Sequence, residues 1–227
     1  MAQNRLSKFP ASIRVAVQAL IYWWDDWIAQ VVMSIVWVLS WFTIVLGPPA
    51  TFGLAYAESR LIRGESLGFH GMFEGAKRYF FKSWLWMLAN LVVIALTVNG
   101  ILFYGQIEQV WGAVLRVVML SILIVWVSIQ FFAVPFLIIQ EKETLRLAWR
   151  NSLFTIMTSP GFTLVLFFIA ALVIGLSVVF VIPLFLGFIP LSVTMFSQAV
   201  KERVETFKEM MKKSEIEGEN AEEKQEN

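Results

Sequence analysis

The chain has 227 residues, of which 58% are hydrophobic and 15% are charged, with a formal net charge of +1 and a mean hydropathy of +0.70. This composition lies outside the range of soluble globular proteins and predicts a protein of the lipid bilayer. The absence of cysteine excludes disulfides, thiolate nucleophiles and thiolate metal sites.

Long apolar stretches predict an all-α fold, a polytopic bundle of transmembrane helices. A helix needs about 18 or more apolar residues to cross the roughly 30 Å hydrocarbon layer of a membrane. These stretches are apolar on every face, whereas the strands of a membrane barrel alternate in polarity. Five spans are expected, at residues 27–46, 83–104, 111–139, 162–182 and 184–200.

The remaining segments are expected at the membrane surface or beyond it. Residues 1–26 are predicted to form an amino-terminal interfacial segment, residues 27–200 the transmembrane domain, and residues 201–227 a charged cytoplasmic tail. The tail continues the last span as a helix, and its last dozen residues are expected to be disordered because they have almost nothing to bury. Tryptophans near the ends of the spans, such as Trp27 and Trp111, are expected to anchor the helices at the membrane interface.

The positive charges gather in the loops after the first and third spans and in the tail, whereas "GQIEQV" and the turn at Pro183 contain no Lys or Arg. The positive-inside rule therefore predicts cytoplasmic charged loops and a cytoplasmic carboxyl terminus. Five full spans, the favoured arrangement, place the amino terminus outside. In the alternative, residues 49–62 return through the membrane as a half-length helix, and both termini are cytoplasmic.

The sequence also contains a possible internal repeat. A shift of 86 positions aligns "VVM" at residues 31–33 with "VVM" at residues 117–119, and Pro49 with Pro135. Each copy, at residues 27–104 and 111–182, would contain a span, a proline break, an amphipathic surface segment and a second span. Parallel repeats of this kind are found in transporters, but a duplicated structural bundle has the same sequence pattern.

The break at Gly47, Pro48 and Pro49, followed by Thr51, is the first candidate for a cavity or packing site. Broken helices in transporters expose backbone carbonyls and helix N-termini to a substrate. Proline also fits naturally in the first turn of a helix, so the structural interpretation is a kink or a helix start.

Polar side chains inside the spans are the other candidates. Asn90 and Gln130 lie at similar depths in the second and third spans, so they are expected either to pair between helices or to line a wet cavity. Asn99, Gln30 and Gln198 are further polar members. Arg116 lies about one turn inside the third span, where it either extends to the membrane edge or contacts an anion.

Catalytic and metal-binding patterns are missing from the sequence. His70 is the only histidine, and the spans contain no paired carboxylates, no His-Glu-x-x-His motif and no Gly-x-Ser-x-Gly motif. We therefore predict no enzymatic activity, cofactor, metal or nucleic-acid partner. Coupled transport usually requires an intramembrane acid, and Glu58 supplies one only if the return helix exists.

The stretch "IVLGPPATFGLAYAESRLIRGESLGFHGMFEGAKRYFFKS" resembles the signature region of the YesL-like family of bacterial integral membrane proteins of unknown function. The later "LRLAWRNSLFTIMTSPG" is similar to that family's second cytoplasmic segment, with Ser152 at the usual serine. The resemblance covers the chain up to about Lys208. One difference is that Pro48 replaces the glycine that directly precedes Pro-Ala-Thr in the family. The matching positions of the first stretch are Pro49, Ala50, Thr51, Arg60, Arg63, Gly64, Glu65, Phe73, Lys77 and Ser83.

The resemblance implies a bacterial inner-membrane protein in the context of carbohydrate uptake, without an established activity. Our first hypothesis is a non-enzymatic accessory or assembly component, whose partners are the lipid bilayer and other membrane or cytoplasmic subunits. The alternative hypothesis is a facilitator or channel-like carrier of a small solute.

Overall fold

A computed structural model describes residues 9–180 and 185–226, with side chains described up to residue 214 except that of residue 178. The described chain is helical without a strand, which confirms the predicted all-α class. In chain order, its helices are α1 (Ala11–Asp25), α2 (Trp27–Phe42), α3 (Gly47–Leu61), α4 (Gly68–Arg78), α5 (Phe80–Tyr104), α6 (Val110–Ile139), α7 (Leu145–Thr158), α8 (Pro160–Phe180) and α9 (Phe188–Glu226).

Three of these helices, α5, α6 and α8, are long and apolar enough to cross a membrane. They correspond to the predicted spans 83–104, 111–139 and 162–182, although residues 181 and 182 lie outside the described residues. Most of their apolar side chains are exposed, which suits lipid as the surrounding solvent. The three helices therefore support a membrane-embedded protein.

The helix of the first predicted span, 27–46, is shorter than predicted. α2 has 16 residues and ends where the Thr43 hydroxyl donates to the Ser40 carbonyl at 2.7 Å and accepts from the Leu46 N–H at 3.2 Å. Ile44, with a φ of 60°, adopts the left-handed conformation that completes this turn. The helix therefore stops before residue 46, since local hydrogen bonds in the turn replace the helical ones.

α3 then runs back along α2, so the two helices form an antiparallel hairpin. Two cross-links show the direction: Trp37 bonds to Thr51 and Gln30 bonds to Glu58, so later residues of α3 meet earlier residues of α2. This geometry is that of the alternative prediction, a returning helix after the Gly-Pro-Pro break. α3 is also the centre of the packing, with twelve of its fifteen residues buried.

Small residues let α3 and α4 approach each other closely, as the Gly53-x-x-x-Ala57 spacing predicts. A Cβ on Gly53 would lie only 2.2 Å from the Met72 carbonyl oxygen, and one on Gly75 would lie 2.4 Å from the Tyr56 Cβ. Each of these glycines therefore permits a backbone contact that a side chain would prevent. By contrast, Gly175 of the Ala171-x-x-x-Gly175 spacing, in α8, has nothing within 4 Å of its Cβ position.

The two halves of the possible repeat differ at the aligned prolines. Pro49 lies in the first turn of a new helix, whereas Pro135 lies inside the continuous helix α6. The possible repeat places a break at Pro135, but the helix continues past it to Ile139, as the predicted span 111–139 requires. An aromatic cluster packs beside it, with the Phe196 ring centroid 5.1 Å from that of Phe132 and 5.0 Å from that of Phe131.

Helix α9 covers most of the predicted fifth span at 184–200, although residue 184 lies outside the described residues. It continues to Glu226, where disorder was expected over the last dozen residues, because Glu, Lys, Gln and Ala are all strong helix formers. The amino-terminal helix α1 packs antiparallel to it. Gln198 bonds to Gln18 at 2.8 Å, and Arg14 forms an ion pair with Glu202.

Candidate functional site

The structure brings together the two amides that were expected at similar depth. The Asn90 amide lies 3.4 Å from the Gln130 Oε1, between α5 and α6. Three indole N–H groups complete the group: Trp86 donates to the Gln130 Oε1 at 2.8 Å, Trp149 of α7 donates to the same oxygen at 3.2 Å, and Trp126 donates to the Asn90 Oδ1 at 3.0 Å. We call these five residues the amide–tryptophan cluster.

The amide nitrogens of the amide–tryptophan cluster also have backbone acceptors. The Asn90 Nδ2 donates to the Trp86 carbonyl at 2.8 Å, and the Gln130 Nε2 donates to the Trp126 carbonyl at 3.2 Å. The polar atoms of both amides therefore bond within the protein, and the cluster ties α5, α6 and α7 together. The indole partners were not predicted, yet Trp86–Asn90 and Trp126–Gln130 both have the four-residue spacing that puts side chains on one helix face.

The Gly-Pro-Pro break starts a helix and is buried against its neighbour. A Cβ on Gly47 would lie 2.7 Å from the Trp41 ring, and both prolines of the break are buried in the first turn of α3. The Thr51 hydroxyl donates to the Gly47 carbonyl at 3.0 Å and accepts from the Trp37 indole at 3.0 Å. The groups that were candidates for a substrate contact are thus used in helix packing.

Arg116 lies away from these groups. It is exposed on α6, and its guanidinium carbon is 3.8 Å from the Cβ position of Gly105, in the turn that follows α5. It precedes Gln130 by fourteen residues on the same helix, about 21 Å at 1.5 Å per residue. Its position near the helix end is that of a charge extending toward the membrane edge.

A second polar group lies around Glu58. The sequence predicts an intramembrane acid at this position only if the return helix exists. The Glu58 side chain is fully buried. Its Oε2 accepts from the Gln30 Nε2 at 3.3 Å and lies 2.5 Å from the Thr194 hydroxyl oxygen. These three residues, which we call the Glu58 junction, come from α3, α2 and α9, so no local spacing in the sequence indicates that they meet.

The Glu58 junction differs from the amide–tryptophan cluster in its unpaired atoms. The Oε1 atoms of both Glu58 and Gln30 are buried without a hydrogen-bond partner. The hydroxyls of Ser59, next to Glu58, and Ser197, one turn after Thr194, are also buried and unpartnered. Unpaired polar atoms in a protein interior are rare and costly, so this junction is the strongest candidate in the described chain for binding something small.

A third polar group connects the two charged loops. Glu143, which follows α6, pairs with Arg78 at 2.6 Å and with Lys82 at 2.8 Å, and it accepts from the Tyr79 hydroxyl at 2.8 Å. Partial burial acts to raise the pKa of the Glu143 carboxyl, but the hydrogen bonds from Lys82 and Tyr79 and the charges of Lys82 and Arg78 together lower it below its ordinary value.

The described residues contain no group of three or more His, Asp or Glu side chains arranged to hold a metal ion. His70 is exposed on α4. An open groove on α2, lined by Trp37, Val38, Trp41 and Phe42, is apolar. The candidates in the described chain are therefore the amide–tryptophan cluster, the Glu58 junction and the Glu143 ion pairs.

No protein-family model, curated protein or solved structure matches the chain. The resemblance to the YesL-like family therefore stays a prediction from the sequence motifs.

Proposed function

We propose that the chain is a non-enzymatic accessory subunit of a bacterial membrane assembly, anchored by α5, α6 and α8. Its role is to bind a partner subunit through the surface formed by α7 and α9. One observation carries this proposal: a strip of exposed apolar side chains on α7 and α9, outside the three helices that are long enough to span a membrane.

This contact strip consists of Phe154, Met157, Phe207, Met210 and Met211. Their exposed fractions range from 47% to 72%. The strip is continuous across the two helices, since the ring centroids of Phe154 and Phe207 are 6.1 Å apart. Exposed apolar surface on a non-spanning segment is typical of protein contact sites, and methionines allow such a surface to adapt to its partner.

The direction of the strip favours a protein partner over lipid. Arg203 lies over the Phe162 ring at 3.8 Å, near the start of the long apolar helix α8. From Arg203 the strip follows α9 to Met211, eight residues further, or about 12 Å. Charged residues such as Lys208 and Glu209 lie between its members in the sequence and on the other face of α9. Since α9 is amphipathic here, we infer that the partner is an amphipathic helix that lays its apolar face on the strip.

The amide–tryptophan cluster supports this proposal over the carrier hypothesis. A solute cavity needs polar groups that are free to bind the solute, whereas the amides of Asn90 and Gln130 bond to each other, to indoles and to the backbone. The proposal that the protein is not an enzyme comes from the sequence, with its single histidine and its lack of hydrolase motifs.

The placement of the assembly comes from charge and from the resemblance. Glu143 joins Arg78 and Lys82 of one charged loop to the other, and Arg14 of α1 pairs with Glu202 of the tail. The positive-inside rule supports a cytoplasmic side for this charged surface, and so for the carboxyl terminus, in the bacterial inner membrane. The YesL-like resemblance extends the proposal to an assembly for carbohydrate uptake, and that extension depends on the motifs alone.

The experiment is purification of the full chain from its native membrane in mild detergent. We expect a partner to co-purify in constant ratio with the wild-type chain and to be lost when Phe207, Met210 and Met211 are all changed to Ser. The matched control changes Lys208, Glu209 and Lys212 to Ser, on the opposite face of the same helix, and should keep the partner. Recovery of the wild-type chain alone, or equal loss in both variants, would contradict the proposal.

A further inference from the structure

The hydrogen bonds of Thr194 indicate the state of the Glu58 carboxyl. The Thr194 hydroxyl oxygen lies 2.9 Å from the Pro190 carbonyl oxygen and 2.5 Å from the Glu58 Oε2. A threonine hydroxyl has one hydrogen, so it gives at most one full hydrogen bond as a donor. Both contacts are full hydrogen bonds if Thr194 donates to Pro190 and accepts a proton that Glu58 donates.

We infer that the Glu58 junction is a proton-binding site, in which Glu58 holds a proton on Oε2 and donates it to Thr194. The ligand is thus a proton, which the carboxyl takes up when the protein folds. The proton links the hairpin of α2 and α3 to α9, because Gln30, Glu58 and Thr194 belong to these three helices.

The unpaired atoms of the junction agree with a neutral acid. The Glu58 Oε1 has no hydrogen-bond donor. On a carboxylate this oxygen would share a buried and unpaired negative charge, whereas on a carboxylic acid it is an ordinary carbonyl oxygen. The second state costs far less free energy in a protein interior.

The charged groups around the junction do not neutralise a carboxylate at Glu58. On its own helix, Arg60 pairs with Glu65 at 3.0 Å. From α9, the Lys201 ammonium donates to the Ile62 carbonyl at 3.0 Å. Asp26, between α1 and α2, accepts from the Ser66 hydroxyl and adds negative charge. The described side chains therefore leave a proton as the counter-charge of Glu58.

Infrared spectroscopy of the full chain in detergent tests the inference directly. At neutral pH we expect the C=O stretching band of a protonated carboxylic acid in the wild type, and loss of this band in Glu58→Gln. Glu143→Gln is the matched control, since it removes an ion-paired glutamate and should keep the band. Absence of the band from the wild type, or its persistence in Glu58→Gln, would overturn the inference.

A second variant identifies the acceptor and does not depend on the folding of Glu58→Gln. Thr194→Val keeps the carboxyl but removes the oxygen that accepts its proton, so the band should shift to higher frequency. An unchanged band would show that Thr194 is not the acceptor and would overturn the donor assignment.

Proton linkage gives an independent measurement. If the folded chain retains a proton that the unfolded chain releases, the folding equilibrium constant of the wild type falls about tenfold per pH unit relative to Glu58→Gln, over the range in which the folded carboxyl stays protonated. Reversible unfolding in mixed micelles from neutral to alkaline pH measures this ratio. Parallel pH profiles of the two proteins would count against the proton site.

Discussion

Replacement of Gln130 by Leu is a test of whether the amide–tryptophan cluster holds the helices together. The substitution removes the acceptor of Trp86, Trp149 and Asn90, whose donors lie 2.8, 3.2 and 3.4 Å from the Gln130 Oε1. Leu has a similar size and introduces no new polar atom. The expected effect is therefore that of lost hydrogen bonds between three helices.

The size of the expected loss in the free energy of unfolding follows from measurements of polar contacts in membrane proteins. Such interhelical hydrogen bonds contribute on average about 0.6 kcal/mol each, and at most about 1.7. Three of them give a loss of about 2 kcal/mol in the free energy of unfolding, roughly a 30-fold change in the folded-to-unfolded ratio. The assay is reversible unfolding in mixed micelles, monitored by the fluorescence of the cluster tryptophans and by circular dichroism.

Asn99→Leu is the matched control on the same bundle. Asn99 is exposed on α5, and its amide donates to the Ala95 carbonyl of its own helix at 2.7 Å, so its loss should leave stability nearly unchanged. If Gln130→Leu unfolds like the wild type, or if both variants lose the same free energy of unfolding, the cluster does not hold the helices together. A wet solute cavity would give a different result, because Gln130→Leu would then alter solute flux in liposomes with little effect on unfolding.

Two further changes test the packing of α3 and the charged loops. Gly53→Ala places a Cβ 2.2 Å from the Met72 carbonyl oxygen and should cost about 1–3 kcal/mol by overpacking, whereas Gly175→Ala, with open space at its Cβ position, should be neutral or slightly stabilising in the same unfolding assay. Because the pKa of Glu143 is lowered in the folded protein, its contribution is present above the ordinary carboxyl pKa of about 4.3 and is lost as the pH falls through the lowered value. Wild type should therefore lose stability relative to Glu143→Gln over that acidic range, and parallel acid unfolding of the two would contradict this.

Much of the fold could be predicted because length and apolarity alone determine which helices can cross a bilayer. α5, α6 and α8 follow directly from their apolar stretches. The hairpin of α2 and α3 could not be predicted in this way. Its turn contains Ile44, Val45 and Leu46, and these apolar residues fall inside the predicted span 27–46. The helix ends instead through the hydrogen bonds of Thr43, an effect of one side chain that an apolar window does not resolve.

The two polar sites differ in how far the sequence reveals them. Asn90 and Gln130 stand out as amides in apolar helices, and equal depth in adjacent antiparallel spans predicts that they can meet. Glu58 and Thr194 are 136 positions apart, on helices that are neighbours only through tertiary packing. Their meeting depends on the return of α3 along α2, which the sequence indicates only through the alternative arrangement with a half-length helix at 49–62.

The two sites also differ in whether their polar atoms have partners within the chain, and this difference bears on function. In the amide–tryptophan cluster the amide atoms have partners from the chain, so the cluster is complete without a ligand and its task is to hold α5, α6 and α7. In the Glu58 junction the chain supplies an acid without a counter-charge and leaves two Oε1 atoms unpaired. A buried carboxylate without a counter-charge is costly. A proton on the Glu58 Oε2 removes that charge, while the Oε1 atoms of Glu58 and Gln30 keep no partner from the described chain.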